Sequence, residues 1–137
     1  MMPKNVLGIV YSNSYDSCLK DFTQRRTMGS MLYGGRYRLI DFVLSNFVNS
    51  GVTKVGVITN SHFRSLMDHV GNGRPWDLAR KVDGLYLLPP FNPSNAEHDS
   101  SNTVEVLGRI NSFIKSCNEQ YVLLSVTNFI CNIDLSE

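Results

Sequence analysis

Four short apolar runs, Val6–Tyr11, Lys54–Thr59, Leu85–Leu88 and Tyr121–Val126, are spaced along the chain with helix-patterned stretches between them. The first two suit buried strands rather than helices, and the other two read as the third and fourth strands. From Arg36 onward Tyr37, Ile40, Leu44, Phe47 and Val48 recur at helical spacing, and Gly51 follows where a left-handed cap ends a helix. Asn60 or Ser61 is placed to cap a second helix through Leu66, Met67 and Val70. Pro89, Pro90 and Pro93 break regular structure, and a polar loop runs to Ser101. Asn102 with Glu105 then reads as a capping box opening a helix through Val106, Ile110, Phe113 and Ile114. Strands alternating with helices imply parallel crossovers, hence an α/β fold of three layers, α/β/α, around a mostly parallel sheet.

At 137 residues and 42% hydrophobic content the chain can bury one core. Thirteen basic and twelve acidic residues leave a formal charge of +1, too weak a field to select nucleic acid or an anionic membrane. Cys18, Cys117 and Cys131 are widely spaced and odd in number, which suggests neither a disulfide framework nor a zinc site and fits a reducing cytoplasm. The opening apolar run is far shorter than a signal h-region or a membrane span, so a soluble, unexported protein is expected. Residues 12 to 35 mix polar and charged side chains and end in Gly34-Gly35, which reads as one long loop. Loops of that length in compact domains usually carry function. The chain stops soon after its fourth strand, where such a sheet would continue, so a fragment is expected.

In open α/β sheets ligands sit beyond the carboxyl ends of the strands, so the segments after the first and fourth strands are where chemistry belongs. The block from Tyr33 to Asn60, YGGRYRLIDFVLSNFVNSGVTKVGVITN, resembles glucose-1-phosphate adenylyltransferases (ADP-glucose pyrophosphorylases), whose pattern runs FGGxYRLIDFxLSNCxNSGIxxIxVxTQ. Ser65, Leu66 and His69 continue that family's SxxLxxHI. The resemblance covers the whole chain, weakening in the proline-rich loop. It implies a Rossmann-like nucleotidyltransferase fold, of which residues 1–137 would be the N-terminal portion, with the rest of that domain and a C-terminal left-handed β-helix outside this chain. The implied reaction joins ATP and glucose 1-phosphate into ADP-glucose and pyrophosphate, with Mg²⁺ as cofactor.

The departures fall on the chemical positions. The family's LAGGxGTRL uses glycines to admit nucleotide phosphates and an arginine to contact the transferred phosphoryl group. Counted without a gap, those positions here are Asn13, Ser14, Tyr15, Asp16, Ser17 and Cys18. The active-site lysine of RAKP is replaced in Arg26-Thr27-Met28-Gly29, and the metal-holding aspartate of LAGDHIY is replaced by Asn128. An amide carbonyl is a much poorer ligand than a carboxylate for a hard cation. The family's TQ becomes Thr59-Asn60 and its GTADA becomes Asn102-Thr103-Val104-Glu105-Val106. Losing one preorganised charge-stabilising group costs roughly 3 kcal/mol of transition-state stabilisation, and Cys18, Met28 and Asn128 together remove three.

Scaffold without chemistry is what a GlgD-type, non-catalytic glycogen biosynthesis subunit of that family would look like. The resemblance then implies a cytoplasmic regulatory or structural subunit, with no catalytic residue and no cofactor of its own. Its partner would be a catalytic ADP-glucose pyrophosphorylase subunit in a hetero-oligomer, a heterotetramer, with phosphorylated sugars as effectors. Arg25, Arg26, Gly34, Gly35 and Asn60 would be what remains of the substrate site.

Plainer readings stand beside these. Exposed arginine pairs are commonly solvated or salt-bridged, an amphipathic-helix histidine such as His69 is commonly structural, and Gly34-Gly35 can serve backbone geometry. Asp134, past the last strand, is a stand-in metal ligand or a surface aspartate. Two rival functions remain open at this level: an active adenylyltransferase using Arg25, Arg26 and Asp134, and a sensor of nucleotide or sugar phosphate without turnover.

Overall fold

The computed structural model describes residues 5–12, 19–59, 62–88 and 103–135. Its centre is a four-stranded, all-parallel sheet of β1 (Val6–Tyr11), β4 (Lys54–Ile58), β5 (Gly84–Leu88) and β6 (Tyr121–Val126), in the order β5-β4-β1-β6. All four fall on the apolar runs of the sequence. The register is level, with Tyr11 opposite both Ile58 and Val126, so β1, β4 and β6 end together.

Side-chain alternation divides the core into two layers. Val10, Val55 and Val57 pack with Ile40, Val43, Leu44 and Phe47 of α2 (Leu39–Asn49) and with Leu66 and Val70 of α3 (Arg64–Val70). Leu7, Ile9, Tyr11 and Ile58 pack on the other face with Val106 of α4 (Thr103–Arg109), Ile110, and Phe113 of α5 (Asn111–Ser116). The chain is thus the expected three-layer α/β/α arrangement. Gly8 is required by closeness: a Cβ there would stand 2.6 Å from the Phe47 ring, so α2 seats on β1 only because that position has no side chain. Gly51 ends α2 at φ +87°, as its placement implies. Among the described residues no helix is long and apolar enough to cross a membrane.

Several local expectations are corrected. Residues 19–35 are not one loop: they hold the short helix α1 (Lys20–Thr23), a 3-10 turn at Met28–Ser30, and the strand β2 (Leu32–Tyr33), which pairs antiparallel with β3 (Tyr37–Arg38). Two residues per strand are too few to show alternation in a sequence. Tyr37 consequently belongs to β3, half exposed, and not to the buried stripe of α2. The third helical stretch is two helices broken at Ile110, where Gly108 weakens the helix just before and Ile110 is pulled into the core. The residue capping α3 is Phe63, not Asn60 or Ser61, which lie outside the described residues, as do Pro89 to Asn102. Asn102, the expected capping-box partner of Glu105, lies outside the described residues; Glu105 itself stands 2.6 Å from Arg109 one turn on.

Candidate functional site

The chain leaves β1 on one side, through α2 to β4, and later returns on the other side as β6. β1 and β6 therefore flank the point where strand order reverses, and the crevice beyond their carboxyl ends is the position where open α/β sheets bind ligands. Ser12, Thr59, Thr127 and Asn128 are the described residues that stand there, immediately after β1, β4 and β6.

These groups are mostly spent on each other. The Ser12 hydroxyl donates to the Ile58 carbonyl at 3.0 Å, and the Ser12 carbonyl accepts from the Gly29 amide at 3.1 Å and from the Thr127 hydroxyl at 3.4 Å. The Met28–Ser30 turn is thereby pinned across the ends of β1 and β6, tightened by the Ser30 hydroxyl donating to the Thr27 carbonyl at 2.9 Å. The fit is close: a Cβ on Gly29 would be 3.1 Å from the Ser12 Cβ and 3.3 Å from a Thr127 methyl. Met28 is only 4% exposed, and Ser12, Thr27, Ser30, Thr59 and Thr127 are buried. The Thr27 hydroxyl oxygen is buried without a hydrogen-bond partner among the described residues.

Gly29, the neighbour of Met28, thus packs against Thr127, the neighbour of Asn128. A thioether is packed inward where the resemblance assigns a lysine, and an exposed neutral amide stands where it assigns a metal-binding aspartate. Mg²⁺ calls for carboxylate oxygens. The described strand-end residues are hydroxyls, one amide and a thioether, and no group of three His, Cys, Asp or Glu among the described residues is arranged around a common point. These residues do not fit the ion.

Asp134 does not repair that gap. The segment after β6 runs back along α2, where the Asn46 amide donates to the Cys131 carbonyl at 3.0 Å and the Ser50 hydroxyl accepts from the Leu135 amide at 2.9 Å. Asn46 and Ser50 lie at the end of α2 that leads into β4, so Asp134 is carried away from the strand ends. Nothing in the sequence marked Asn46 or Ser50 as polar anchors within an apolar helix face except that they break its stripe.

The remaining residues are dispersed. Arg25 is exposed and Arg26 half-exposed; with Asp21, Phe22, Gln24, Met31 and Leu32 they line an open groove of about 540 Å³ between α1 and β2. No carboxylate among the described residues pairs with either arginine. Gly34 and Gly35 stand in the turn between β2 and β3, with φ of +61° and +77°, a backbone geometry that glycine adopts without strain. Asn60 and Cys18 lie outside the described residues. His69 is structural: its Nε2 is 2.6 Å from Asp41, whose other oxygen accepts from the Arg38 amide at the start of α2 at 2.9 Å. Its ring packs edge-on to Trp76.

Residues 15–137 match the nucleotidyl transferase family. The chain is 36% identical over 133 residues to the glycogen biosynthesis protein GlgD of Bacillus subtilis, covering 97% of this chain and 38% of that protein. It is 37% identical over 134 residues to GlgD of Geobacillus stearothermophilus, covering 97% and 39%. It is also 34% identical over 134 residues to the glucose-1-phosphate adenylyltransferase of Thermosipho africanus, covering 98% and 32%. The chain therefore spans about two fifths or less of the length of these curated relatives.

Proposed function

The chain belongs to the nucleotidyl transferase family, and from that premise we propose that it is part of a regulatory or structural subunit of ADP-glucose pyrophosphorylase that has lost its own chemistry. The subunit would act in cytoplasmic glycogen biosynthesis and pair with a catalytic homologue in a hetero-oligomer. The observation that carries the reading is the strand-end crevice, where Met28 is folded inward beneath a pinned turn and Asn128 supplies no charge. Adenylyl transfer needs fixed positive charge on the transferred phosphoryl group and a metal bridging its oxygens. Among the described residues the crevice offers neither. Relatives named as a glycogen biosynthesis protein and as glucose-1-phosphate adenylyltransferase support the pathway and the fold-level substrate class.

The test is ADP-glucose formation from ATP and glucose 1-phosphate with Mg²⁺, by the full-length protein alone and mixed with a catalytic homologue from the same organism. The expected result is negligible synthesis alone and altered rate or effector response in the mixture. Synthesis by the protein alone at an ordinary family rate would overturn the reading. The groove lined by Arg25 and Arg26, neither paired with a carboxylate among the described residues, favours a second reading, a sensor of phosphorylated sugars without turnover. Calorimetry with ATP, ADP-glucose and glucose 1-phosphate decides it, and no heat at millimolar ligand rejects it.

A further inference from the structure

The Met28–Ser30 turn covers the strand ends with little fastening. Among the described residues one backbone hydrogen bond ties it to the sheet, from the Gly29 amide to the Ser12 carbonyl at 3.1 Å. Its other backbone bonds, from the Ser30 amide to the Thr27 carbonyl and from the Met31 amide to the Met28 carbonyl, both 3.0 Å, are internal and travel with it. The turn lies between two extended residues, Thr27 at ψ 157° and Met31 at ψ 137°. Its downstream end is anchored, because the Met31 carbonyl accepts from the Leu39 amide at the start of α2 at 3.1 Å. When the turn lifts about that anchor, the Ser12 carbonyl keeps the Thr127 hydroxyl as a donor.

Burial of Met28 favours the closed position, and Thr27 opposes it. The Thr27 side chain is fully buried, yet its hydroxyl oxygen has no hydrogen-bond partner among the described residues. A segment packed on the outside of this fold does not reach an oxygen without exposed surface, so the penalty belongs to the closed turn itself. A buried hydroxyl left without a partner costs the closed state its desolvation, and lifting the turn returns it to water. We propose that the Met28–Ser30 turn is an openable cover over the strand ends, with Thr27 as the group that keeps the open position accessible. Opening frees the Gly29 amide and uncovers Ser12 and Thr127, against which Gly29 is packed. This device is independent of whether the full-length protein is catalytic.

The test exposes the full-length protein briefly to hydrogen peroxide and follows the oxidation of each methionine by peptide mass spectrometry. Met28, 4% exposed, reacts when the turn opens, and Met67, 39% exposed, is the reference. Hydrogen–deuterium exchange in β1 reports global unfolding. In wild type, Met28 is expected to oxidise more slowly than Met67 but from a larger open population than β1 exchange gives, and to be insensitive to low urea. Thr27→Val, which puts a methyl group in place of the hydroxyl, should slow Met28 oxidation about tenfold, the ratio for one unsatisfied buried hydroxyl, with Met67 unchanged. Thr27→Ser keeps the hydroxyl and should not slow it. Gly29→Ala, whose Cβ would stand 3.1 Å from the Ser12 Cβ, should speed it; if that variant loses global stability, the β1 amides show it and Thr27→Val decides. Oxidation of Met28 as fast as Met67, oxidation of Met28 only through the opening that β1 reports, or a Thr27→Val rate equal to wild type overturns the cover. ADP-glucose synthesis bears on the subunit reading alone, so the two fail separately.

Discussion

Replacing Met28 by lysine introduces the residue type that the resemblance assigns to this position, and the burial of Met28 sets what that should cost. Met28 is 4% exposed in a turn pinned by the Gly29 amide to the Ser12 carbonyl. A fully buried methionine side chain contributes about 1.5–3 kcal/mol by burial alone. The lysine stem keeps part of that contact, but its ammonium must either be buried without a partner, at several kcal/mol, or lift the turn off β1 and β6. Met28→Lys is therefore expected to destabilise by about 3 kcal/mol, whereas Met28→Leu, close in volume, should cost less than about 1.5 kcal/mol. Urea unfolding followed by fluorescence of the single tryptophan, Trp76, measures both. The pH dependence separates the two routes. A buried ammonium has a folded-state pKa below its unfolded value, so the unfolded chain binds more protons and the penalty shrinks as pH rises. A lifted turn gives a penalty independent of pH. If Met28→Lys unfolds at the wild-type midpoint at every pH, position 28 can present a charge to the crevice without cost, and the argument that the turn has closed the site fails.

Three further outcomes follow from other parts of the fold. At the far end of the sheet, Lys54 donates to Glu119 at 2.7 Å with Asp83 3.9 Å away, and both partners of the short bond are largely buried. Burial pushes the Glu119 carboxyl up, but the Lys54 hydrogen bond and backbone amides outweigh it and hold the group below its ordinary value; the Glu119 hydrogen bond raises Lys54. The pair's contribution is thus full between roughly pH 4.3 and 10.4, fading as pH falls through the lowered carboxyl value or rises through the raised lysine value. Glu119→Gln should cost about 3 kcal/mol at neutral pH and converge on wild type in acid, as denaturant midpoints across pH will show. Gly8→Ala should cost about 1–3 kcal/mol through overpacking against Phe47, and Phe47→Leu in the same chain should return part of it; an unshifted thermal midpoint would contradict the packing. Finally, Cys18→Arg, Met28→Lys and Asn128→Asp made together with a restored glycine loop should give measurable ATP binding by calorimetry. Unchanged affinity would mean that the gapless alignment of the first loop is wrong.

β1 and β4 were legible because both are buried on both faces, so their residues are apolar nearly throughout, whereas β5 and β6 were legible as short apolar runs although β5 is only partly buried and β6 exposes Tyr121, Val122 and Leu124. α2 was legible for a related reason: Ile40, Leu44 and Phe47 keep the spacing of one helical face against β1 and β4. The hairpin and the Met28–Ser30 turn were not. Their stability comes from contacts with Phe42, Ser12 and Thr127, residues distant in sequence or of unremarkable type, and a two-residue strand carries no period to read.

The candidate site divides the same way. Sequence by itself determined which chemical groups are present at the family's positions, because a methionine or an asparagine has the same charge wherever the chain puts it. Only the tertiary structure decided what those groups do: that Met28 turns inward, that Asn128 is left exposed and that Asp134 is led away along α2 by Asn46 and Ser50. Charge is a property of the residue, while burial and direction depend on which distant segments pack against it, and that is settled by the sheet order and the two cores it organises.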